Sequence, residues 1–187
     1  MNATAQRTRD AWLALRCQMG ETDAFRDLVT EMERPLLYFA TKLLGDEELA
    51  LDTLQQTWLR AVQTVRRLER PEHIRAWLYQ IVRGLAVDQL RKRASVKRLE
   101  EEYAEQQPEA SEDATFDREE AAAVHRALDQ LEPRLREVMV LHFLEDLPIA
   151  DVAMIVACPE GTVKSRLHHA KRALQAILQS APAKGKP

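Results

Sequence analysis

"IADVAMIVACPEGTVKSRLHHAKRAL", Ile149 to Leu174, decides how this chain is read. Val152, Ala153, Ile155 and Val156 give a short first helix, about 149–156, an apolar side. A turn follows through Ala157 and Cys158, and Pro159 fixes φ where a second helix, about 160–178, begins. At about 100° per residue, Val163, Leu167, Ala170 and Leu174 fall on one narrow stripe of that helix. Its other side shows Ser165, His168, His169 and Arg172, with Lys164 and Lys171 on one flank and Arg166 towards the other.

This is the spacing of a helix-turn-helix, whose second helix enters the major groove and meets base edges with its N-terminal residues. Lys and Arg donate to guanine O6 and N7, Ser is adaptable, and Glu160 accepts from cytosine N4. Gly161 and Thr162 open the helix with free backbone N–H groups that suit a phosphate. On most helices a basic outer side is only a solvated face. Here the preceding helix, the tight turn and the absence of any acid between Lys164 and Arg172 favour DNA. His168 and His169 point about 100° apart and cannot chelate together as an i,i+4 pair does, so no metal site is expected.

Upstream, the apolar spacing stays helical. Phe25, Leu28, Val29 and Met32 form one stripe; Leu54, Trp58, Ala61, Val62 and Val65 a second; Trp77, Leu78, Ile81, Val82, Leu85 and Leu90 a third. Breaks are expected at Gly20, at Gly45-Asp46 and at Arg70-Pro71. The net charge of −3 conceals a strong asymmetry. Residues 94–120 carry ten acids against three bases, whereas 83–93 and 164–172 carry four bases each, with Asp88 the one acid among them. The acidic stretch holds Pro and Ser and loses helical periodicity, which predicts a flexible linker. The expected class is all-α: two small helical domains, 10–93 and 121–180, joined by the acidic linker 94–120.

Cys17 and Cys158 form no Cys-x-x-Cys pair and are expected as reduced, half-buried thiols. No apolar run approaches the roughly 20 residues of a membrane span, and "MNATAQRTRDAW" lacks a secretory core, so a cytoplasmic protein is expected. There is no Gly-rich phosphate loop, no Cys/His metal spacing and no nucleophile beside an evident base, which argues against an enzyme and against a cofactor.

Two longer stretches carry a resemblance. "LEPRLREVMVLHFLEDLPIADVAMIVACPEGTVKSRLHHAKRAL" resembles region 4 of the bacterial sigma-70 family in its extracytoplasmic-function branch, and "GDEELALDTLQQTWLRAVQTVRRLERPEHIRAWLYQIVRGLAVDQLRKR" resembles region 2. The resemblance implies a dissociable RNA polymerase subunit without metal or cofactor. Region 2 would bind a coiled coil on the β′ subunit and capture the single-stranded −10 element; region 4 would bind the β flap and read the duplex −35 element. It assigns Asp52, Gln55, Gln56 and Trp58 to core polymerase, Trp58 also being a candidate for the core. It assigns Leu68, Arg75, Tyr79, Gln80, Arg83, Gly84, Arg91, Lys92 and Arg93 to the −10 strand. To the −35 duplex it assigns Glu160, Thr162, Lys164, Ser165, Arg166, His168, His169, Lys171 and Arg172. An anti-sigma factor is the further partner implied.

The chain departs from the family pattern at several positions. Gly84 stands where Asn is usual, Leu68 where an aromatic is common, and Leu51 and Gln56 where acids are usual. Ala157 holds a turn position in which Gly is common. Two other readings fit part of the pattern: a free-standing helix-turn-helix regulator, and a sigma mimic that sequesters an anti-sigma factor.

Overall fold

Gly45 and Asp46 show how local chemistry divides the chain into helices. Gly45 takes a left-handed conformation (φ 66°) and its N–H closes the end of one helix on the Thr41 carbonyl. Asp46 then caps the next, its carboxylate accepting the Leu49 N–H at 3.1 Å. In the computed structural model, which describes residues 3–100 and 119–180, this pattern repeats into eight α-helices. They are α1 (Ala3–Gln18), α2 (Thr22–Leu44), α3 (Glu47–Thr64), α4 (Ile74–Glu100), α5 (Glu119–Asp129), α6 (Pro133–Met139), α7 (Ile149–Val156) and α8 (Glu160–Ser180).

Two 3₁₀ turns, Val65–Arg67 and Pro71–His73, join α3 to α4, and α6 runs into a π turn at Val140–Leu144. No strand occurs among the described residues, in keeping with an all-α class. The expected breaks at Gly20 (φ 85°), Gly45-Asp46 and Arg70-Pro71 all fall between helices. Helix α4 continues through Glu100, seven residues beyond the point where periodicity in the sequence fades. The flexible linker expected between the units is helix up to there, and its residues 101–118 lie outside the described residues.

In the first unit α2 packs on α3 and α4, and α1 lies across the turn into α4. Leu28, Met32, Leu36 and Phe39 from α2 meet Leu54 and Ala61 from α3 and Leu78, Val82 and Ala86 from α4 in a buried apolar core. In the second unit α6 and α7 pack on α8, burying Val138, Val140 and Leu141 with Val152, Ile155, Val163, Leu167 and Ala170.

The units also pack on each other. Helix α4 lies on α7 and α2 on α6, and a single cluster of buried apolar residues runs through both. Two residues placed in core stripes by their spacing lie outside: Val62 is 57% exposed and Leu90 40% exposed. Each sits at the margin of its helix's buried arc, where a shift of a few tens of degrees changes the outcome.

Candidate nucleic-acid and polymerase interface

The terminal helix pair forms as its spacing predicts. Helix α7 ends at Ala157 in the left-handed region (φ 52°, ψ 49°), and the Cys158 N–H bonds the Ala153 carbonyl at 3.2 Å. Helix α8 starts after Pro159, whose carbonyl accepts from Thr162 and Val163 at 2.9 and 3.1 Å. Val163, Leu167 and Ala170 are buried, with Leu174 half-buried against them. On the other side Glu160, Lys164, Ser165, His168, His169, Lys171 and Arg172 are exposed, with Thr162 and Arg166 half-buried. The ammonium of Lys171 lies 4.6 Å from the centre of the exposed Phe143 ring, which steers it without neutralising it. The face is cationic, unpaired with any acid on its own helix, and open.

The residues expected to hold the −10 strand fare differently. Gly84, Arg91, Lys92 and Arg93 are exposed on α4; Arg93 reaches the Asp46 cap at 2.8 Å and Arg91 approaches Asp88 at 3.7 Å. The Leu49 N–H, then Arg93, hold the Asp46 carboxyl below its ordinary range. Arg75 is turned back into its own unit, bonded to Asp10 at 3.0 Å and to Glu31 at 3.1 Å. Leu68 packs half-buried against the core.

Tyr79 requires a correction. Its ring, assigned by resemblance to the −10 strand, is 1% exposed and packs edge-on against Phe39, 5.3 Å between centres. Its hydroxyl donates to Glu145 of the second unit at 2.6 Å. Positions 79, 82 and 86 share one helix face with the core residues Val82 and Ala86, which is the reason.

Gln80 and Arg83, next on the same helix, also reach across. The Gln80 amide donates to the Met154 carbonyl at 3.0 Å, and the Arg83 guanidinium donates to the Glu137 carboxylate. Burial pushes both Glu137 and Glu145 upward, opposed by Arg83 at the first and by the Tyr79 hydroxyl at the second. At the base of α4, His73 Nδ1 lies 3.0 Å from Asp151, which Arg7 also approaches at 3.8 Å. A second seam joins Tyr38 to His125 Nδ1 at 2.7 Å and Lys42 to Asp129 at 2.7 Å. Spacing gave no sign of these pairs, whose members are at least 54 residues apart. The available signal was Glu137 itself, a carboxylate leading the apolar run Val138–Leu141.

On α3 the polar residues assigned to polymerase, Asp52, Gln55 and Gln56, are all exposed. Trp58 is half-buried, its ring edge-on to Phe25 at 6.0 Å, so it supports this face from beneath. Sequence reasoning missed the apolar part of the surface. Leu51 (43% exposed), Leu59 (65%) and Val62 (57%) lie beside Gln55 on the arc opposite the core. Spacings of four and three residues from Leu51 were the signal. Cys17 is buried, which raises its thiol pKa, and Cys158 is half-buried; both are free.

A helical bundle with an exposed mixed face, packed on a helix-turn-helix unit whose basic face is bare, defines a two-part DNA-directed protein. Residues 28–96 match the family Sigma-70 region 2, and residues 121–174 match Sigma-70, region 4. The chain is 34% identical over 166 residues to the ECF RNA polymerase sigma factor SigL of Mycobacterium tuberculosis, covering 85% of this chain and 91% of that one. It is 33% identical over 159 residues to EcfG, an ECF RNA polymerase sigma factor of Rhodopseudomonas palustris, covering 84% and 86%. Among solved structures, the sigma factor RpoE of Bartonella quintana, crystallised with the anti-sigma factor NepR, superposes with a TM-score of 0.70 at 26% identity, over 83% of this chain and 99% of that one. The chain belongs to the extracytoplasmic-function branch of the sigma-70 family and is an RNA polymerase sigma factor. Among the described residues no helix is long and apolar enough to cross a membrane.

Proposed function

We propose that this sigma factor docks on core polymerase through the exposed side of α3, reads the −35 duplex with α8 and holds the melted −10 strand along α4. In this reading Leu51, Asp52, Gln55, Gln56, Leu59 and Val62 form the α3 docking face. Lys164, Ser165 and Arg166 meet base edges near the start of α8, with Glu160 as an acceptor, while His168, His169, Lys171 and Arg172 follow the backbone. The N–H of Gly161, at the start of the helix, receives a phosphate; that of Thr162 is taken by the Pro159 carbonyl. Arg83, Arg91, Lys92 and Arg93 supply the cationic track for the single strand, and Gln80 a polar contact beside it. With Gly at position 84, no side chain stands there to hold a base.

The protein contributes binding and melting free energy, while the polymerase carries out the chemistry; it is not itself an enzyme, and it works in the cytoplasm where the polymerase does. An anti-sigma factor is its regulatory partner, as NepR is for the Bartonella relative. The observation that carries this reading is the open basic face of α8, with no acid between Lys164 and Arg172, on a correctly formed helix-turn-helix. The test is run-off transcription of fragmented genomic DNA by core polymerase, with and without the protein, mapping the RNA 5′ ends. New starts that share two upstream elements are expected. A complex with core that yields no new starts would favour a sequestering mimic, and no complex at all a free-standing regulator.

A further inference from the structure

The connection from α3 to α4 is held from outside by one side chain. Val65–Arg67 forms one 3₁₀ turn and Pro71–His73 a second, and Leu68, Glu69 and Arg70 lie between them, outside either. Leu68 is extended there (φ −69°, ψ 107°), with its N–H on the Val65 carbonyl at 3.0 Å. Gln18, the last residue of α1, reaches this segment from 47 and 50 residues earlier in the chain. Its Nε2 donates to the Val65 carbonyl at 3.1 Å and to the Leu68 carbonyl at 2.7 Å. Both partners are acceptors, so the amino end of the carboxamide must face them, and it carries two N–H donors, one for each. A single carboxamide thus spans the first 3₁₀ turn from its first residue to the residue that ends it.

The end of α1 is shaped for this approach. Gly20 takes a left-handed conformation (φ 85°), its N–H on the Cys17 carbonyl at 3.0 Å, and a Cβ added to it would stand 3.3 Å from Nη2 of Arg66. Val65 is buried and Leu68 packs half-buried against the core, so apolar contact fixes the inner side of the segment. Such contact is not directional. The orientation of the two carbonyls, and with it the path of the backbone into α4, is set by the hydrogen bonds from Gln18.

We propose that Gln18 is a positioning residue for −10 recognition, holding the Leu68–Arg70 segment in the conformation from which the single strand passes onto α4. The proposal rests on the assignment of Leu68 and α4 to the −10 strand given above. Glu69 and Arg70 are exposed on the outer side of the segment, whereas Gln18 is half-buried behind it and supports the reading surface through the backbone. A recognition surface keeps its selectivity only while its supports hold it within about 0.5 Å of the productive geometry. Removing the two donors therefore blurs the choice among −10 bases and leaves the α8 face as it was.

The test uses holoenzyme reconstituted from core polymerase and the full-length chain, as wild type or as Gln18→Met, which keeps side-chain length and helix propensity but has no donor. Gln18→Glu, whose ionised carboxylate accepts without donating, is the second variant, and thermal melts establish that both fold. The probe is a promoter mapped by the run-off experiment above, with each −10 and each −35 base substituted in turn. Heparin-resistant open complexes are counted on parent and substituted promoters, and their ratio is the discrimination at that base, from which any overall loss of active protein cancels. In parallel, hydrogen exchange of the free chain is followed in the peptide covering residues 65–73.

Discrimination at one or two −10 positions is expected to fall about threefold or more, the scale of one or two lost hydrogen bonds, with −35 discrimination unchanged within roughly twofold. Exchange across residues 65–73 is expected to quicken, with α8 unaffected. Unchanged −10 discrimination in both variants overturns the proposal, as does an equal loss at −10 and −35 bases, the mark of a merely structural role. Unchanged exchange across residues 65–73 overturns it without reference to any promoter. A wild-type holoenzyme that makes no promoter-specific starts overturns the sigma-factor reading and this proposal with it. Wild type that discriminates, beside variants that discriminate equally well, removes the role of Gln18 alone.

Discussion

Ala157→Gly is expected to stabilise the protein, although most glycine substitutions do the opposite. Ala157 sits between α7 and α8 at φ 52°, ψ 49°, where a Cβ crowds the following carbonyl at a cost of about 1–2 kcal/mol. Removing the methyl relieves that crowding. Against it stands the larger conformational freedom of glycine in the unfolded chain, about 0.4–1 kcal/mol. Little burial is lost, because Ala157 is exposed. The difference favours glycine by about 0.5–1 kcal/mol, or roughly 1–4 °C in Tm for a chain of this length. Ala157→Val, β-branched in the same conformation, should cost at least about 1 kcal/mol. Urea unfolding with fluorescence detection and differential scanning calorimetry measure both. A lowered midpoint for Ala157→Gly, or an unchanged one for Ala157→Val, would refute the assignment of strain to this turn. Duplex −35 binding by the holoenzyme should stay within about twofold for the glycine variant, since the turn keeps its conformation.

Gly84→Ala should raise stability by about 1 kcal/mol, because an added Cβ meets nothing within 4 Å on the exposed side of α4; urea melts check it. Arg172→Ala should lower the slope of log K against log salt for holoenzyme–promoter binding by about one, the signature of a lost phosphate contact. His125 is held below its ordinary value of 6.5, first by burial and then by Lys42, with Asp129 acting oppositely and the neutral Tyr38 hydroxyl bonded to its ring. The folded chain therefore binds fewer protons at this site than the unfolded chain. The stability it contributes is present above about pH 6.5 and is lost as pH falls through the lowered value. His125→Gln should lack that loss when urea stabilities at pH 7.5, 6.5 and 5.5 are compared with wild type, a difference that cancels the opposite trends of Glu137 and Glu145.

The helix-turn-helix was legible because its signal is local. Val163, Leu167 and Ala170 recur at helical spacing, and every polar residue between them had to point outward. The caps at Gly45 and Asp46 were legible for the same reason. Tyr79 shows the limit of reading by resemblance: it assigns the residue to the −10 strand, whereas its register with Val82 and Ala86 places the ring inside. Val62 and Leu90 show the converse, since both were assigned inward although each sits at the margin of its helix's buried arc and is exposed. The joint between the units was not legible at all. Glu137, Glu145 and Asp151 find partners at least 54 residues earlier, and no periodicity within either unit encodes a contact between them.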